Sequence, residues 1–411
     1  MIRQKFFHLA LLLLVSVADA ATVRLGTEVL AGRGFQELRG RRVILITNQT
    51  GNDSRGYATL ERLRRVPGIR LVAVMAPEHG LHGEYLAGRE FPDSTDERTG
   101  LRVFSLYGPG PVRRPTPTML QGVDVVVYDL QDIGVRSYTY ISTLGLAMDA
   151  CGEAGVEFMV LDRPNPLGGL RVEGPMVSDA FRTFVSRWDV PYVYGMTCGE
   201  LARMINGERW ITNRCRLTVI PLAGWRRSMV WKDTGLPWVA TSPNVREPEA
   251  AMFLVATGVV GEVGGLSVGL GTERPFQLLG APWLDSEGFC RELNRRRLPG
   301  LNFTPVRFTP ERGAFKGRAV AGARIRITNP AESPLVAVNF HALDAVRTVS
   351  GRDLFAEAVH QGHSFTMFDK VTGSDATRKA LQAGKRAALI VDGWKAGEEN
   401  FRHRRVRYLL Y

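Results

Sequence analysis

One short loop of the sequence, PEHGLHGE, carries four side chains that could transfer a proton or ligate a metal ion. These side chains are Glu78, His79, His82 and Glu84. Glu78 directly follows an apolar run, so its carboxyl group should be partly removed from water. Desolvation favours the protonated form of a carboxylic acid and raises its pKa. The position therefore predicts a general acid, and the structural alternative is that Glu78 caps the next helix or pairs with a basic neighbour.

A second polar loop, QDIGVRSYTY, follows the apolar run VDVVVYDL and contains Asp132, Arg136 and Tyr138. A carboxylate beside an arginine stays ionised, whereas one in apolar surroundings is protonated. Asp129 and Asp132 could therefore divide the base and acid roles. The planar guanidinium of Arg136 is suited to binding a substrate carboxylate. Alternatively, Asp129 only hydrogen-bonds the backbone of its loop.

The same two loops could instead supply a site for a divalent metal ion. His79, His82 and the aspartates Asp129, Asp132 and Asp162 all carry suitable ligand atoms. However, the two histidines stand in a loop, and none of the helical zinc signatures occurs. A metal-dependent hydrolase is thus the alternative to acid–base hydrolysis. The preferred interpretation requires no metal and no other cofactor.

The elements that must position these loops alternate regularly along the first part of the chain. The predicted strands are RVILIT (42–47), IRLVAVMA (69–76), VDVVVYDL (123–130) and VEFMVLD (156–162), with helical patterns between them. Short β-branched runs of this kind are typical of strands buried on both faces of a parallel sheet. Loops at the carboxyl ends of such strands converge on one edge, where ligands bind. The pattern predicts an α/β fold with a Rossmann-like parallel sheet flanked by helices.

Two further strand-end loops are polar. NQTG contains Asn48, and RPNPLGG contains Asn165, which could contact a polar ligand. The first strand is not followed by GxGxxG, which argues against a dinucleotide-binding protein. The chain also lacks a GxSxG nucleophile elbow, so acyl transfer by a serine is disfavoured.

The pattern changes beyond about residue 282, where a helix, two strand-like runs and another helix follow. The chain is therefore predicted to contain a Rossmann-like catalytic domain over residues 22–280 and a smaller C-terminal α/β domain over residues 281–411. Residues 1–20 have the features of a secretory signal peptide. Arg3 and Lys5 precede an apolar run that is too short to cross a bilayer. We expect cleavage near Ala20, a periplasmic or secreted location, and no stable membrane insertion of the mature protein.

Without residues 1–20, the chain has 51 basic and 40 acidic side chains, a net charge of +11. Such a charge favours anionic partners, including an acidic glycan wall. The basic runs RLRR and RHRRVR are not interleaved with exposed aromatic residues, which argues against nucleic-acid binding. The four cysteines form no CxxC motif, so a metal cluster is disfavoured, while one disulfide and buried free thiols both remain open.

Several strings occur in an order that closely resembles the exo-β-N-acetylmuramidase family, the NamZ/YbbC-like proteins. They are LITNQTG, APEHGLHGE, PTPTMLQGVDVVVYDLQDIGVRSYTY, VLDRPNPLGGLRVEGP, YGMTCGEL, GLPWVATSPN, GLNFTPVRFTP and the terminal YLLY. The resemblance covers essentially the whole chain after the signal segment. It implies a Rossmann-like domain and a smaller auxiliary domain, with the active site in the cleft between them.

The resemblance also implies a function. Family members are exo-acting glycoside hydrolases that release β-1,4-linked N-acetylmuramic acid from the non-reducing end of peptidoglycan fragments. Glu78 of the PEHG motif is then the general acid, and Asp132 or Glu84 would orient the 2-acetamido group or activate water. The mechanism stays open, because a 2-acetamido group can supply its own nucleophile. The expected partners are amino sugars or muropeptides, and the candidates for substrate binding are Asn48, His79, Arg136, Tyr138, Asn165 and Asn244.

The chain departs from the family pattern in two segments. Where the family usually has EGTNxSEGRGTxxPFE, this chain has GEVGGLSVGLGTERPFQ, so Val268, Leu270 and Gln277 replace an acid, an arginine and a glutamate. The string SPNVRE, which contains Asn244, stands in place of SPNMPT. Sugar preference could therefore differ from the family norm. A muropeptide-binding protein without catalytic activity is the second interpretation, and the sequence leaves the oligomeric state open.

Overall fold

The computed structural model describes residues 23–109, 113–360, 362 and 364–411. The predicted signal segment, residues 1–20, therefore lies outside the described residues. None of the described helices combines the length and the hydropathy that are needed to cross a bilayer. All four cysteines, Cys151, Cys198, Cys215 and Cys290, are buried free thiols.

A seven-stranded sheet organises the first part of the chain. Its strands are β1 (Arg42–Thr47), β2 (Arg70–Ala76), β3 (Ser94–Thr95), β4 (Arg102–Ser105), β5 (Val125–Asp129), β6 (Glu157–Leu161) and β7 (Arg216–Ile220). They lie in the order β3-β4-β2-β1-β5-β6-β7, and only the β3–β4 pair is antiparallel. The predicted α/β class with a parallel sheet is confirmed.

Helices cover both faces of this sheet because the strand residues alternate between two apolar cores. In β1, Val43 and Leu45 face α1 (Gly26–Gly32) and α2 (Thr59–Arg65). Ile44 and Ile46 belong to the core on the opposite face, with α3 (Tyr140–Ala154) and α4 (Cys198–Gly207). The strands are therefore buried on both faces, as continuous apolar runs predict.

A smaller unit contains an antiparallel three-stranded sheet in the order β8-β10-β9. Its elements are α5 (Glu249–Gly261), β8 (Leu278–Ala281), α6 (Ser286–Arg295), β9 (Leu301–Phe308), β10 (Val320–Ile327) and α7 (Leu335–Ser350). The predicted boundary at residues 280/281 falls inside β8, which pairs with β10. Because α5 also packs in the core that contains α7, the structure moves the start of this unit towards Glu249.

Short helices complete the chain and return it to the first sheet. They are α8 (Leu354–His360), α9 (Thr366–Thr372), α10 (Ala376–Gln382), α11 (Ala387–Asp392) and α12 (Lys395–Arg405). Buried Arg405 donates to the carbonyl oxygen of Tyr194 at 3.1 Å, and the Tyr411 hydroxyl donates to Asp162 at 2.7 Å. The C-terminal segment is thus fastened to the unit that begins the chain.

Candidate active site

Glu78 lies just beyond the carboxyl end of β2 and is 9% exposed. Its Oε1 atom accepts a hydrogen bond from the Gly88 amide at 2.7 Å, and its Oε2 atom accepts one from the Thr139 hydroxyl at 2.5 Å. One donor comes from the loop after β2 and the other from the loop after β5. The carboxylate is therefore held from two sides, in a residue that is buried except for a small exposed fraction.

The loop that carries Glu78 folds back on itself through its own polar groups. His79 has a φ of 76°, and its Nδ1 atom lies 2.8 Å from the Tyr85 carbonyl oxygen. Exposed Glu84 accepts the His82 amide at 2.9 Å. Its carboxylate also lies where a side chain on Gly80 would stand, 2.6 Å from an ideal Cβ. The contacts of His79 and Glu84 shape this turn, and Gly80, at a φ of 81°, is the residue that fits it.

The two histidines of this loop face different partners. The His79 ring meets a backbone carbonyl, while His82 Nε2 lies 2.9 Å from Asp96 Oδ1. Within the part of the chain that the structure describes, no three side chains of the His, Cys, Asp and Glu types come together as a metal site. The pairing of His79 with His82 that the metal-hydrolase alternative needs is therefore not formed.

Tyr107 is an aromatic neighbour of Glu78 that the sequence patterns did not predict. β2 and β4 are parallel, with Ala76 opposite Ser105, and the Leu106 amide donates to the Ala76 carbonyl oxygen at 2.9 Å. Both chains leave the sheet there, and two residues beyond this pair the Tyr107 side chain lies close enough to Glu78 to interact with it. Burial raises the pKa of the Tyr107 phenol, and the Glu78 charge raises it further.

Asp132 supplies a second carboxylate with an unusual titration. Its Oδ2 atom accepts hydrogen bonds from the Tyr194 hydroxyl at 2.5 Å and from the Gly134 amide at 2.6 Å. Its Oδ1 atom is buried without a partner among the described residues. Burial raises the pKa of Asp132 to about 6. This carboxyl group can therefore change its protonation state near neutral pH.

Tyr138 lies within reach of both carboxylates. Its phenol is buried, and its oxygen has no hydrogen-bond partner among the described residues. Burial is the main cause of its raised pKa, to which the charges of Asp132 and Glu78 add. The Tyr138 ring also packs edge-on against Tyr140, with ring centroids 5.0 Å apart. Tyr138 is thus a phenol on which the charges of both Glu78 and Asp132 act.

Asn48 connects its loop to neighbouring parts of the chain. Its Nδ2 atom donates to the Tyr140 hydroxyl at 2.8 Å, and its Oδ1 atom accepts from the amide and hydroxyl of Thr50. The Tyr140 hydroxyl in turn donates to the Thr241 carbonyl oxygen at 2.9 Å. These hydrogen bonds join the loop that carries Asn48 to the start of α3 and to the loop that carries Thr241. Asn48 therefore has a positioning role.

Arg136 was predicted to bind a substrate carboxylate, and the structure contradicts that role. The side chain is fully buried. Its guanidinium donates to the carbonyl oxygens of Pro175, Val190 and Val371 at 2.6, 2.8 and 3.0 Å, and to the Ser186 hydroxyl at 3.2 Å. Burial lowers its pKa to about 10, which still leaves it charged at neutral pH. Arg136 fastens loops together and offers no edge to a ligand.

Two other predicted residues also have structural partners. Asp129 pairs with buried Arg163, with Oδ1 and Nε 2.6 Å apart. Asn165 is buried; its Nδ2 atom donates to the Met196 carbonyl oxygen at 3.0 Å, and its Oδ1 atom accepts the Leu167 amide at 2.9 Å. Asn165 therefore fixes the RPNPLGG loop, and these contacts leave no pair of amide atoms directed at a ligand.

Asn244 lies where the two units meet, next to the segment that departs from the family pattern. Arg312 donates to Asn244 Oδ1 at 2.8 Å, and the Arg312 amide donates to the Leu270 carbonyl oxygen at 3.2 Å. Val268 is buried in the core of the smaller unit, and Gln277 Nε2 donates to the Ile325 carbonyl oxygen at 3.1 Å. The departing residues are therefore built into the smaller unit, beside the SPNVRE loop.

Comparison with known proteins identifies relatives over nearly the full chain. A curated relative, the peptidoglycan β-N-acetylmuramidase NamZ of Bacillus subtilis, is 37% identical over 394 residues, which cover 96% of this chain and 92% of that protein. Two DUF1343 family proteins of Bacteroides fragilis have similar crystal structures. They superpose with TM-scores of 0.88 and 0.73 at 40% and 28% identity, and each comparison covers 95% of this chain and 99% of the other.

The family assignment comes from both halves of the chain. Residues 43–249 match the N-terminal domain described as that of exo-β-N-acetylmuramidase NamZ, and residues 253–411 match the corresponding C-terminal domain. The division between these two domains falls at the start of α5, where the fold also divides. The chain therefore belongs to the exo-β-N-acetylmuramidase NamZ family.

Proposed function

We propose that this protein is an exo-acting glycoside hydrolase that releases β-1,4-linked N-acetylmuramic acid from the non-reducing end of peptidoglycan fragments, with Glu78 as the general acid. The activity named for the Bacillus subtilis relative supports this function, because the two chains align over nearly their whole lengths. One structural observation carries the catalytic assignment: each oxygen of the Glu78 carboxyl group is held by one hydrogen-bond donor.

Those two donors suit a group that gives up a proton. When protonated Glu78 transfers its proton to the glycosidic oxygen, negative charge develops on its carboxylate. The Gly88 amide and the Thr139 hydroxyl are already aimed at the two oxygens. Preorganised donors stabilise charge that appears in the transition state without costly rearrangement. The two hydrogen bonds thereby orient Glu78, and its acidic proton can occupy a position on either oxygen that these donors leave open.

Asp132 is proposed to act on the sugar's 2-acetamido side. Its pKa of about 6 and the free Oδ1 atom allow it to accept a proton from the amide N–H or from water near neutral pH. A thiazoline that mimics the cyclised 2-acetamido intermediate should bind tightly if the substrate supplies the nucleophile. Weak thiazoline binding, together with a glycosyl-enzyme trapped on Asp132, would indicate the two-carboxylate scheme instead.

Export is part of the same proposal. Residues 1–20 have the features of a secretory signal, and the basic chain that remains suits an anionic wall. In the source cell, the protein should be recovered outside the cytoplasm with its N-terminus near Ala21. A cytoplasmic protein that retains residues 1–20 would contradict the location but not the chemistry.

The central test is Glu78→Gln assayed with a chromogenic β-N-acetylmuramic acid glycoside. Loss of a general acid is expected to lower kcat about 10²- to 10⁴-fold, while the unfolding midpoint stays near that of the parent. Exposed Glu97→Gln is the matched control and should retain activity. Near-normal turnover by Glu78→Gln rejects the assignment. A parent protein that binds muropeptides without turnover supports the binding-protein interpretation, and inactivation by a chelator supports metal chemistry.

A further inference from the structure

A basic side chain that the sequence patterns did not single out lies next to the candidate acid. The register of β2 and β4 sets buried Tyr107 beside Glu78. Arg113 stacks on that phenol, with its guanidinium carbon 3.6 Å from the Tyr107 ring centroid. Glu78 and Arg113 are thus both neighbours of the Tyr107 side chain.

Aromatic contacts hold the Arg113 guanidinium in a fixed plane. The Phe184 ring centroid lies 5.0 Å from the same guanidinium carbon, and the Tyr107 and Phe184 rings are tilted, with centroids 5.9 Å apart. Stacking on aromatic faces orients a guanidinium while leaving its N–H edge available for a planar acceptor. The Arg113 side chain is 19% exposed, so that edge can be reached from solvent.

The charge of Arg113 is only weakly engaged by the protein. Its ion pair among the described residues is with Glu90, at 3.3 Å between Nη2 and Oε1, and the Glu90 side chain is 43% exposed. Exposed ion pairs of this kind contribute little free energy and exchange readily with other acceptors. Arg136, by contrast, is fully buried and has four acceptors of its own. Of these two arginines, only Arg113 can offer hydrogen bonds to a ligand.

We propose that Arg113 binds the lactyl carboxylate of N-acetylmuramic acid and so distinguishes this sugar from N-acetylglucosamine. This inference rests on the proposed function. The glycosidic oxygen that Glu78 would protonate is on C1, whereas the lactyl ether is on C3, across the sugar ring. A cation that has Tyr107 as a common neighbour with the acid is placed to bind the second group of the same sugar. The substrate carboxylate would displace Glu90 and form a forked pair with the guanidinium.

The test compares two chromogenic β-glycosides, N-acetylmuramic acid itself and the derivative whose lactyl carboxylate is a neutral carboxamide. For Arg113→Met, kcat/KM on the acid should fall about 10- to 100-fold, mainly through KM, as expected for the loss of charged hydrogen bonds. Hydrolysis of the carboxamide should stay within about twofold of the parent. Arg113→Lys keeps the charge without the fork, so it should recover part of the preference for the acid.

Arg102→Met is the matched control, because Arg102 also lies over an aromatic ring, 5.7 Å from Phe104, and pairs with an aspartate, Asp93. It should leave both substrates unaffected. Glu90→Gln should tighten binding of the acid, since it removes the competing carboxylate. Equal losses on acid and carboxamide for both Arg113→Met and Arg113→Lys would show that Arg113 only supports the fold, and would overturn the proposal.

Binding separates this inference from the proposed function. The affinities of the two free sugars, N-acetylmuramic acid and its carboxamide, are measured by calorimetry with the parent, Arg113→Met and Arg113→Lys. Acid-selective binding that depends on Arg113, without turnover by the parent, would reject the hydrolase and retain the recognition site. Turnover with no discrimination between acid and carboxamide would retain the hydrolase and reject the role of Arg113. If the parent neither binds the two sugars nor hydrolyses their glycosides, both are rejected.

Discussion

The loops after β2 and β5 have similar compositions but different environments. Both carry carboxylates and lie at the same edge of the sheet. In the β2 loop, Glu78 and its immediate neighbours (77–81) are buried, residues 82–90 are mostly exposed, and the Glu78 carboxylate has just two hydrogen bonds from described residues. In the β5 loop, Arg136 is fully buried and surrounded by acceptors. Polar residues at the end of a strand therefore do not by themselves indicate a site. The free energy that their desolvation costs can be offset by hydrogen bonds to the protein as well as by a functional role.

What distinguishes the two loops is the number of polar atoms left for a ligand. The Arg136 guanidinium is occupied by carbonyl oxygens from distant segments, and one of them, Val371, belongs to α9. Glu78 keeps unused lone pairs and some contact with solvent. Exceptions in the β5 loop are Gln131, Asp132 and Tyr138, each of which has a buried side-chain oxygen without a partner among the described residues. Four substitutions test whether the β2 loop mainly serves the reaction and the β5 loop mainly stabilises the fold.

The largest expected effect is the loss of folding stability in Arg136→Met. This variant also tests the comparison directly, because a role of Arg136 in substrate binding would contradict it. The change leaves three carbonyl oxygens and one hydroxyl buried without their donor. Each unsatisfied buried group costs about 1–3 kcal/mol, so the free energy of unfolding should fall by about 3 kcal/mol or more. Urea denaturation measures this loss, and activity per folded molecule should stay within about threefold.

Exposed Arg33, which pairs with Glu37, is the control for that experiment. Its side chain is 45% exposed, so Arg33→Met should change the free energy of unfolding by less than about 0.5 kcal/mol. The opposite outcome is an Arg136→Met variant that stays stable but has a sharply raised KM for the acidic sugar. That result would show that Arg136 binds substrate and would contradict its structural role.

Asp132→Asn tests a residue of the β5 loop whose buried carboxylate has an oxygen without a partner among the described residues. It therefore sharpens the comparison between the two loops. The pKa of Asp132 is about 6 in the folded protein, against about 3.9 in an unfolded chain. Between these values the folded state binds more protons, so ionisation of Asp132 lowers stability as pH rises from about 4 to 6. Asn cannot ionise and can still accept the Tyr194 and Gly134 hydrogen bonds through its oxygen. The variant should be more stable than the parent by up to about 3 kcal/mol at pH 7.5 and equal to it near pH 4.

Urea denaturation at the two pH values measures that difference, with activity recorded alongside. Exposed Asp179→Asn is the control and should show no such dependence. If Asp132→Asn gained no stability at pH 7.5, the carboxylate would have to be hydrated or paired in solution. A gain in stability with a loss of activity is the outcome expected of a group kept buried for its chemistry.

Much of the fold was predictable because its signals are local. α3 (Tyr140–Ala154) lies between two predicted strands, where the sequence shows a helical pattern, and it ends where Gly155 adopts the left-handed conformation. β5 falls within the predicted apolar run. β4 and β7 were missed because Arg102–Ser105 is short and Arg216–Ile220 is mostly half-buried, so neither forms a continuous apolar run. Strand pairing, which supplies their stability, is a long-range interaction that a local pattern does not contain.

The site was predictable only in part, for a related reason. Glu78 could be chosen because its loop composition and its place after a strand are visible in the sequence. The acceptors of Arg136 come from positions 39, 54 and 235 residues away, so its burial could not be read from its neighbours. Tyr107 and Arg113 became candidates only through the register of β4 against β2. The sequence gives the type of each residue directly. The number of hydrogen-bond partners that a side chain has depends on contacts with distant parts of the chain.

Thr139→Val tests the one side chain through which the two loops share Glu78. Valine has nearly the same shape as threonine but cannot donate to Glu78 Oε2. Loss of a hydrogen bond to a developing carboxylate should lower kcat about 10- to 100-fold with little change in KM. Thr139→Ser keeps the hydroxyl and should restore most of kcat. If valine and serine variants were equally impaired, the methyl group rather than the hydroxyl would matter, and the link between the loops would be packing alone.

Gly88→Ala is expected to have the smallest effect and isolates the backbone donor of the β2 loop. Gly88 has a φ of 77°, and an added Cβ would meet no atom within 4 Å, so the change introduces conformational strain without a clash. Gly100, at a φ of 70° and equally open, is the matched control in a part of the chain with no contact to Glu78. Each alanine variant should lose about 1 kcal/mol of stability, measured by thermal unfolding. Only Gly88→Ala should also lose activity, by a few-fold, because relaxing the strain moves its amide away from Glu78 Oε1. Equal activities in the two variants would mean that Thr139 alone orients the carboxylate, and that the β2 loop supplies the acid without positioning it.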